Sequence, residues 1–444
     1  MRNASAFIVL CLFLTHGSAW ADDVAASRAA SRELTAPRLV DGKERSIGLD
    51  EVRGLVERSF EVRRARARAS VGSGQATEAV WRIFPTVSGQ LGLTRVDGAT
   101  QSSSTGELDS ALYTTASPYA RLSYGANAAE AIYGAISAAR RESALEKGVE
   151  SARRLFSERT ADQFYDLVQA HENVRVAELA VREAAELLRI AEVLDRQGQA
   201  RGDDAARARS ELAGAEQNHL RAVRTHHQAS IRLATSVDLE PSELLIPRSE
   251  TKERDGAQEE SEESLLARAL AERPEIAEAQ ARSRATDAER GAAWAGLVAP
   301  TLELYYQEGG LGLDYTALEH RRTYGALVTW NLSGVAVAKI GTSGARIEET
   351  ELDVEQAKRN VAAEVTSAFD DFRLARARLE PAARTLESAE ETLRISNVRF
   401  KNGSAILLEV IQAQRAVELA RLSRVSAVVE HDRARTRLEV VVSR

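Results

Sequence analysis

A tandem duplication constrains this chain more than any other feature. Leu55, Glu57, Arg58, Pro85 and Thr86 recur 215 positions on as Leu270, Glu272, Arg273, Pro300 and Thr301. Phe164, Glu186, Leu188, Arg189, Ile190, Gly198 and Ala200 recur 205 positions on as Phe369, Glu391, Leu393, Arg394, Ile395, Gly403 and Ala405. Arg232-Leu233 returns at the second spacing as Arg437-Leu438. Two constant offsets mean one unit written twice, with ten extra residues in the first copy between Pro85 and Phe164.

Each copy contains a run too long for a globular domain. From about residue 128 to 197 there is no proline, and Ala, Glu, Arg and Leu dominate. Leu179, Ala180, Glu183, Leu187, Ile190, Ala191 and Leu194 recur at three- and four-residue steps, predicting one apolar and one charged face. The matching run, about 336 to 401, holds Pro381 as an expected kink. At 1.5 Å per residue either run spans roughly 100 Å. Helices of that length persist by packing side by side as coiled coils. Residues 48–84, 204–236, 264–298 and 404–440 have helical lengths that, stacked in pairs, cover the same distance.

The remaining sequence is β-like. Tyr324, Ala326, Val328, Trp330 and Leu332 alternate with Thr323, Gly325, Leu327, Thr329 and Asn331. Leu302, Leu304 and Tyr306 alternate with Glu303, Tyr305 and Gln307, and the first copy has Val87, Leu91 and Leu93 against Ser88, Gln90 and Thr94. Each copy therefore supplies one hairpin of strands about ten residues long, enough to cross a bilayer when tilted. Strands are expected at about 86–96, 112–124, 301–309 and 322–333. Four strands cannot close a membrane barrel, whose minimum is about eight, and lipid does not tolerate open sheet edges. Membrane-spanning strands would thus require oligomerisation; the other reading is a four-stranded sheet capping a soluble helical domain. Trp81, Trp294 and Trp330, all near strand–helix junctions, favour the membrane reading. On it, Tyr324, Val328 and Trp330 face lipid, while Thr329 and Asn331 face a watery lumen.

Composition narrows the classes. With 28% charged residues and a mean hydropathy of −0.30, no helical multi-span protein is encoded. A net charge of −7 offers no basic footprint for nucleic acid. The start of the chain reads as a secretory signal peptide over 1–21: Arg2, an apolar run from Phe7 to Leu14, and Ala19-Trp20-Ala21 as cleavage site. Cys11, the single cysteine, lies inside it after Leu10 rather than a small residue, so no lipid anchor is expected. The other histidines beyond His16 (His171, His219, His226, His227, His320 and His431) show no H-E-x-x-H spacing. No phosphate-binding glycine motif is present, so neither enzymatic activity, metal nor cofactor is expected. The organisation reads as signal peptide 1–21, N-terminal segment 22–47, first repeat 48–240, acidic linker or equatorial element 241–263, and second repeat 264–444.

The order of helix, Pro-Thr strand, hairpin, long helix, glycine tip and returning helix, twice over, resembles the TolC-type outer membrane efflux protein family. The clearest signature is Arg399-Phe400-Lys401-Asn402-Gly403 followed by Leu408-Glu409-Val410-Ile411-Gln412-Ala413-Gln414 and Val417. The resemblance implies a mainly α fold with a small β part: a long coiled-coil barrel plus four membrane strands per chain, twelve in a homotrimer. It implies an exit duct serving efflux or type I secretion, set in outer membrane lipid. Its partners would be a periplasmic adaptor (a membrane fusion protein) and an inner-membrane pump of RND, ABC or MFS type. A periplasmic coiled-coil scaffold or adaptor-like protein is the rival reading.

Gly198 and Gly403 are expected at the helix reversals, where a positive φ is cheapest for glycine. Six residues beyond each lies an acid, Asp204 and Glu409. The resemblance implies that these, with Asp203 and Gln412, line a narrow periplasmic entrance. Asp203 has the alternative role of capping the returning helix. Arg196, Arg201, Arg399 and Phe400 flank the tips as candidate adaptor contacts.

Overall fold

The computed structural model describes residues 43–101, 106, 108–197, 203–248, 260–330 and 333–442. The segment read as a signal peptide, the linker residues 249–259 and the tip residues Gly198 and Arg201 lie outside them, as does Asn331.

Each long run folds as a single helix. Helix α3 (Ala128–Arg196) has 69 residues and α7 (Gly334–Lys401) has 68, about 100 Å each. The expected kink at Pro381 does not divide α7, which passes through it as one helix. Both starts are capped: Asn127 accepts from the Glu130 amide and Ser333 from the Ala336 amide. Two shorter helices run beside each shaft. In the first copy these are α2 (Phe60–Trp81) and α4 (Asp204–Ser236). In the second they are α6 (Pro274–Val298), opened by a proline at its first position, and α8 (Leu407–Val442). Helices α3 and α6 pack extensively, as do α7 and α8, α3 and α4, and α2 and α3.

Small residues at seven-residue spacing explain how shafts this long stay together. Ala170, Ala177, Ala184 and Ala191 are buried on α3; Val361, Ala368, Ala375 and Ala382 are buried on α7. A period of seven keeps one seam facing the partner helix, and alanine lets the backbones approach closely. On α8, Val410, Ala413, Val417 and Ala420 continue the pattern.

At mid-length, β1 (Glu44–Ile47) pairs in parallel with β4 (Leu244–Pro247). Short helices α1 (Leu49–Leu55) and α5 (Glu262–Glu272) lie in the same connecting segments. Ile47, Leu245, Phe164, Leu233, Val237 and Val429 form a core there, each large aliphatic contributing about 1.5–3 kcal/mol. The β1–β4 pair was not anticipated, since four-residue strands carry too little alternation to read.

The membrane-type strands form one antiparallel sheet in the order β2-β3-β5-β6. They are β2 (Thr86–Gln101), β3 (Leu108–Ala126), β5 (Thr301–Gly312) and β6 (Leu318–Thr329), all longer than or displaced from the ten-residue expectation. The ladder continues through polar residues such as Thr94, Arg95 and Asp97, where hydropathic alternation has already ended. Strand β6 closes at Thr329, so Trp330 belongs to the strand–helix junction rather than to the strand.

Candidate functional site: a two-faced sheet and a helical entrance

Register divides the sheet into two chemically distinct faces. On the first, Leu302, Leu304 and Tyr306 oppose Val328, Ala326 and Tyr324. The neighbouring strands extend it through Tyr124, Leu122 and Ala120, then Val87 and, opposite Pro118, Leu91. Most of its large members are exposed in the single chain, Tyr324 and Leu91 at 80%. A patch that large on one chain marks a surface meant to be covered. Tyr324 and Val328 lie on this face.

The apolar stretch ends at a charged row. The Glu308 carboxylate accepts from the Tyr306 hydroxyl at 2.8 Å and the Arg322 Nε at 3.3 Å, and His320 Nε2 lies 2.8 Å from it.

The second face is polar over most of its length. Arg121 lies over the Tyr305 ring at 4.8 Å and 3.6 Å from Glu303. The Tyr119 hydroxyl donates to Gln90, and Thr86 bonds to the Ser123 hydroxyl at 3.1 Å. Thr329, opposite Thr301, falls on this side, with Leu327 as an apolar exception. Beneath it a cleft of about 1200 Å³ runs onto the helices, its lining mixing the charged Glu130, Arg141, Glu289, Lys339 and Arg346 with the aromatic Trp81 and Phe84.

At the far end of the shafts, the second tip is a tight reversal. Gly403 has φ +71°, Ser404 N–H donates to the Arg399 carbonyl (2.8 Å) and Gly403 N–H to the Phe400 carbonyl (3.0 Å). That pair of bonds is a Schellman motif, and the positive φ explains the glycine. Arg399 braces the turn, donating to the Ser404 carbonyl at 3.3 Å and lying 3.6 Å from the Glu409 carboxylate. Glu409 sits in the first turn of α8, and Gln412 is exposed one turn on.

Two expectations need correction here. Phe400 is not a contact surface: it is 6% exposed, packed with Leu187, Leu393, Leu407 and Val410. Asp204 is 9% exposed and turned inward with Ala205 and Ala208 at the start of α4. Its neighbour Asp203 is exposed. It occupies the N-cap position without capping, its carboxylate held instead by Arg207 at 2.6 Å. In a run such as Gly202-Asp203-Asp204, helix phase alone decides which acid turns inward, and the sequence does not carry that phase. Arg196 is exposed and donates to the Glu192 carbonyl at 3.2 Å.

A buried ion-pair cluster escaped the sequence reading altogether. Arg154 on α3 pairs with Glu158 and Glu364 at 3.3 Å each and donates to Glu275. Arg273, at the start of α6, pairs with Glu364 and lies 3.8 Å from Glu275. Burial, then repulsion from Glu364, pushes the Glu158 carboxyl above its usual range. Among the described residues, no group of three or more His, Cys, Asp or Glu side chains is placed to hold a metal ion. No described helix is long and apolar enough to cross a membrane.

Paired 100 Å shafts bearing a four-stranded sheet with one apolar face make a mainly helical fold that solved outer membrane channels share. The family model described as outer membrane efflux protein matches residues 265–442, within the second repeat, the part of the chain that carries the clearest sequence resemblance. Solved structures share the fold over 89% of this chain. A membrane protein from Pseudomonas aeruginosa is 17% identical, with 93% of its chain covered and a TM-score of 0.77. The outer membrane protein VceC from Vibrio cholerae is 16% identical, covered over 95%, with a TM-score of 0.74. The CmeC outer membrane channel of Campylobacter jejuni is 17% identical, covered over 85%, with a TM-score of 0.77. No curated protein matches the sequence.

Proposed function

We propose that the chain is one subunit of a homotrimeric outer-membrane channel, the passive exit duct of a tripartite efflux or type I secretion system. An inner-membrane pump of RND, ABC or MFS type would deliver cargo through a periplasmic adaptor to the helical tips. Cargo would then travel along the tunnel and leave through a twelve-stranded barrel.

The sheet carries this reading. Its first face is apolar, its second polar, and its edge strands β2 and β6 have no partner strand among the described residues. In lipid those edges must pair, and β6 of one copy has a match in β2 of the next. Head-to-tail repetition of that contact closes a ring, and three copies supply enough strands for a barrel. At the entrance, Glu409 with Gln412 forms the constriction, while the Gly198 and Gly403 reversals with Arg196, Arg201 and Arg399 meet the adaptor.

A heat-modifiable, detergent-resistant oligomer in the membrane fraction, conducting in planar bilayers, is the expected result. A soluble monomer without conductance overturns the reading. Two substitutions sharpen it. Val328→Arg should impair insertion, by about 2–4 kcal/mol if it lies near the bilayer midplane, whereas Thr329→Arg on the lumen face should leave assembly intact. Equal behaviour of the two would refute the assignment of faces. Glu409→Ala should lower cation selectivity and raise conductance, because a carboxylate ring in a narrow opening favours cations; unchanged selectivity removes Glu409 from the constriction.

A further inference from the structure

The apolar surface of the chain does not stop where the strands do. On β6 the first-face residues between the charged Arg322 and the junction residue Trp330 span eight positions. At about 3.3 Å per residue and a tilt near 40°, that is roughly 20 Å of height, about 5 Å short of a typical outer-membrane band. One helical turn, about 5.4 Å, would supply the difference.

The helices next to the sheet carry such a turn. Ile132, Tyr133 and Ile136 at the start of α3, Trp294 and Val298 at the end of α6, and Val337 at the start of α7 are all exposed. Tyr133 and Gly291 bring two of these groups together: a Cβ on Gly291 would lie 2.7 Å from the Tyr133 ring, so glycine lets the ring settle on α6. The same helix ends carry their charged pairs on the other side, toward the cleft, where Lys339 pairs with Glu130 at 3.1 Å and Arg346 with Glu289 at 3.7 Å. The two-faced character of the sheet thus continues one to two turns into the helices.

The backbone at this junction is also fitted for a medium without water. Asn127, 8% exposed, donates to the terminal carbonyls of α6 at Ala295 (3.3 Å) and Ala299 (2.6 Å). Its Oδ1 accepts the Glu130 amide at 3.0 Å. After α2, the Ile83 and Phe84 amides donate to Val80 and Trp81 carbonyls at 3.1 Å. Non-helical backbone survives at membrane depth only when its polar groups are satisfied in this way.

We infer that the collar of Ile132, Tyr133, Ile136, Trp294, Val298 and Val337 lies in the inner leaflet of the outer membrane, against phospholipid acyl chains, so that the strand–helix junction is submerged. The inference rests on the reading of the sheet as membrane-spanning, and its occupant is lipid rather than a neighbouring subunit. Apart from Trp20, in the segment read as signal peptide, the chain has three tryptophans, which makes the test direct. Trp81→Phe with Trp330→Phe leaves Trp294 as the reporter in the full assembled protein, reconstituted in phosphatidylcholine vesicles. Bromine on shallow acyl-chain carbons should abolish most of its emission, and aqueous iodide should leave it unchanged. A second variant, Val328→Trp with all three native tryptophans replaced by phenylalanine, reports the barrel alone. If it is quenched by bromolipid while Trp294 is quenched only by iodide, or by neither, the collar inference falls and the barrel stands. If Val328→Trp is not quenched either, the membrane reading falls with it.

Discussion

Replacing Arg273 by alanine is expected to cost about 3–5 kcal/mol of stability, the range for stripping one partner from a buried ion cluster. The side chain has no solvent exposure. Arg154 and Arg273 share the carboxylates of Glu158, Glu275 and Glu364. Without Arg273, Glu364 and Glu275 keep only Arg154, which they share with Glu158, itself also paired with Arg437 at 3.2 Å. The geometry also places the loss badly. Arg273 closes α5 by donating its backbone N–H to the Ala269 carbonyl (3.0 Å) and occupies the N-cap position of α6, so the cluster ties α3, α6 and α7 at the level where the half-length helices begin. The duplication provides its own control. Arg58 is the repeat counterpart of Arg273 but is exposed, and Arg58→Ala should move stability by no more than about 0.5 kcal/mol. Thermal unfolding followed by the helical circular dichroism signal reads both variants. Equal, small effects would show that the cluster contributes nothing net.

Acid is expected to weaken the mid-length core through His226. This side chain, 7% exposed on α4, lies with its ring centroid 5.1 Å from that of His171 on α3. Burial is the chief cause holding its pKa down, from 6.5 to about 4, and repulsion from His171 and His227 adds to it; a backbone hydrogen bond with Leu245 works the other way. Burial also lowers His171, partly offset by Glu172 and Glu178, with Arg175 lowering it further. The sign follows from proton counting. Between about pH 6.5 and 4 the unfolded chain binds a proton that the folded chain refuses, so stability is complete above that window and falls on acidification through it. At about 1.4 kcal/mol per pH unit, the full loss is roughly 3 kcal/mol for His226 alone. Melting temperatures across that window should fall more steeply for the native protein than for His226→Leu. Parallel slopes would remove His226 as the acid-sensitive group.

Physical periodicity sets what was legible in advance. Apolar residues at three- and four-residue steps recur along α3, and neither shaft lacks strong helix formers, so their type and length survive local noise. Strand alternation identified both hairpins and set Tyr324 and Val328 on the side opposite Thr329, since side chains on a strand have only two directions. It failed at the polar ends of β2 and β3, where backbone bonding outlasts the hydropathic pattern. Gly403 was legible because its place in the reversal calls for a backbone angle that glycine adopts most easily.

Burial at the tips and the partners of charged groups were not legible. Phe400 looked like a tip residue from its neighbours in sequence, yet it is buried beneath the turn in one apolar cluster with residues of α3 and α8 such as Leu187, Leu407 and Val410. Which of Asp203 and Asp204 turns inward depends on the phase of α4 against its neighbours. Arg154, Glu275 and Glu364 are 121 and 210 positions apart, and 28% of the chain is charged, so nothing in composition singles out that set. By itself, then, the sequence determined the duplicated plan, the long shafts, the two hairpins and the glycine reversal, all of which follow from regular local spacing. The tertiary structure alone decided which charges are buried together, which tip residues are hidden and how far the apolar collar runs below the strands, because those depend on distances between segments that no local pattern encodes.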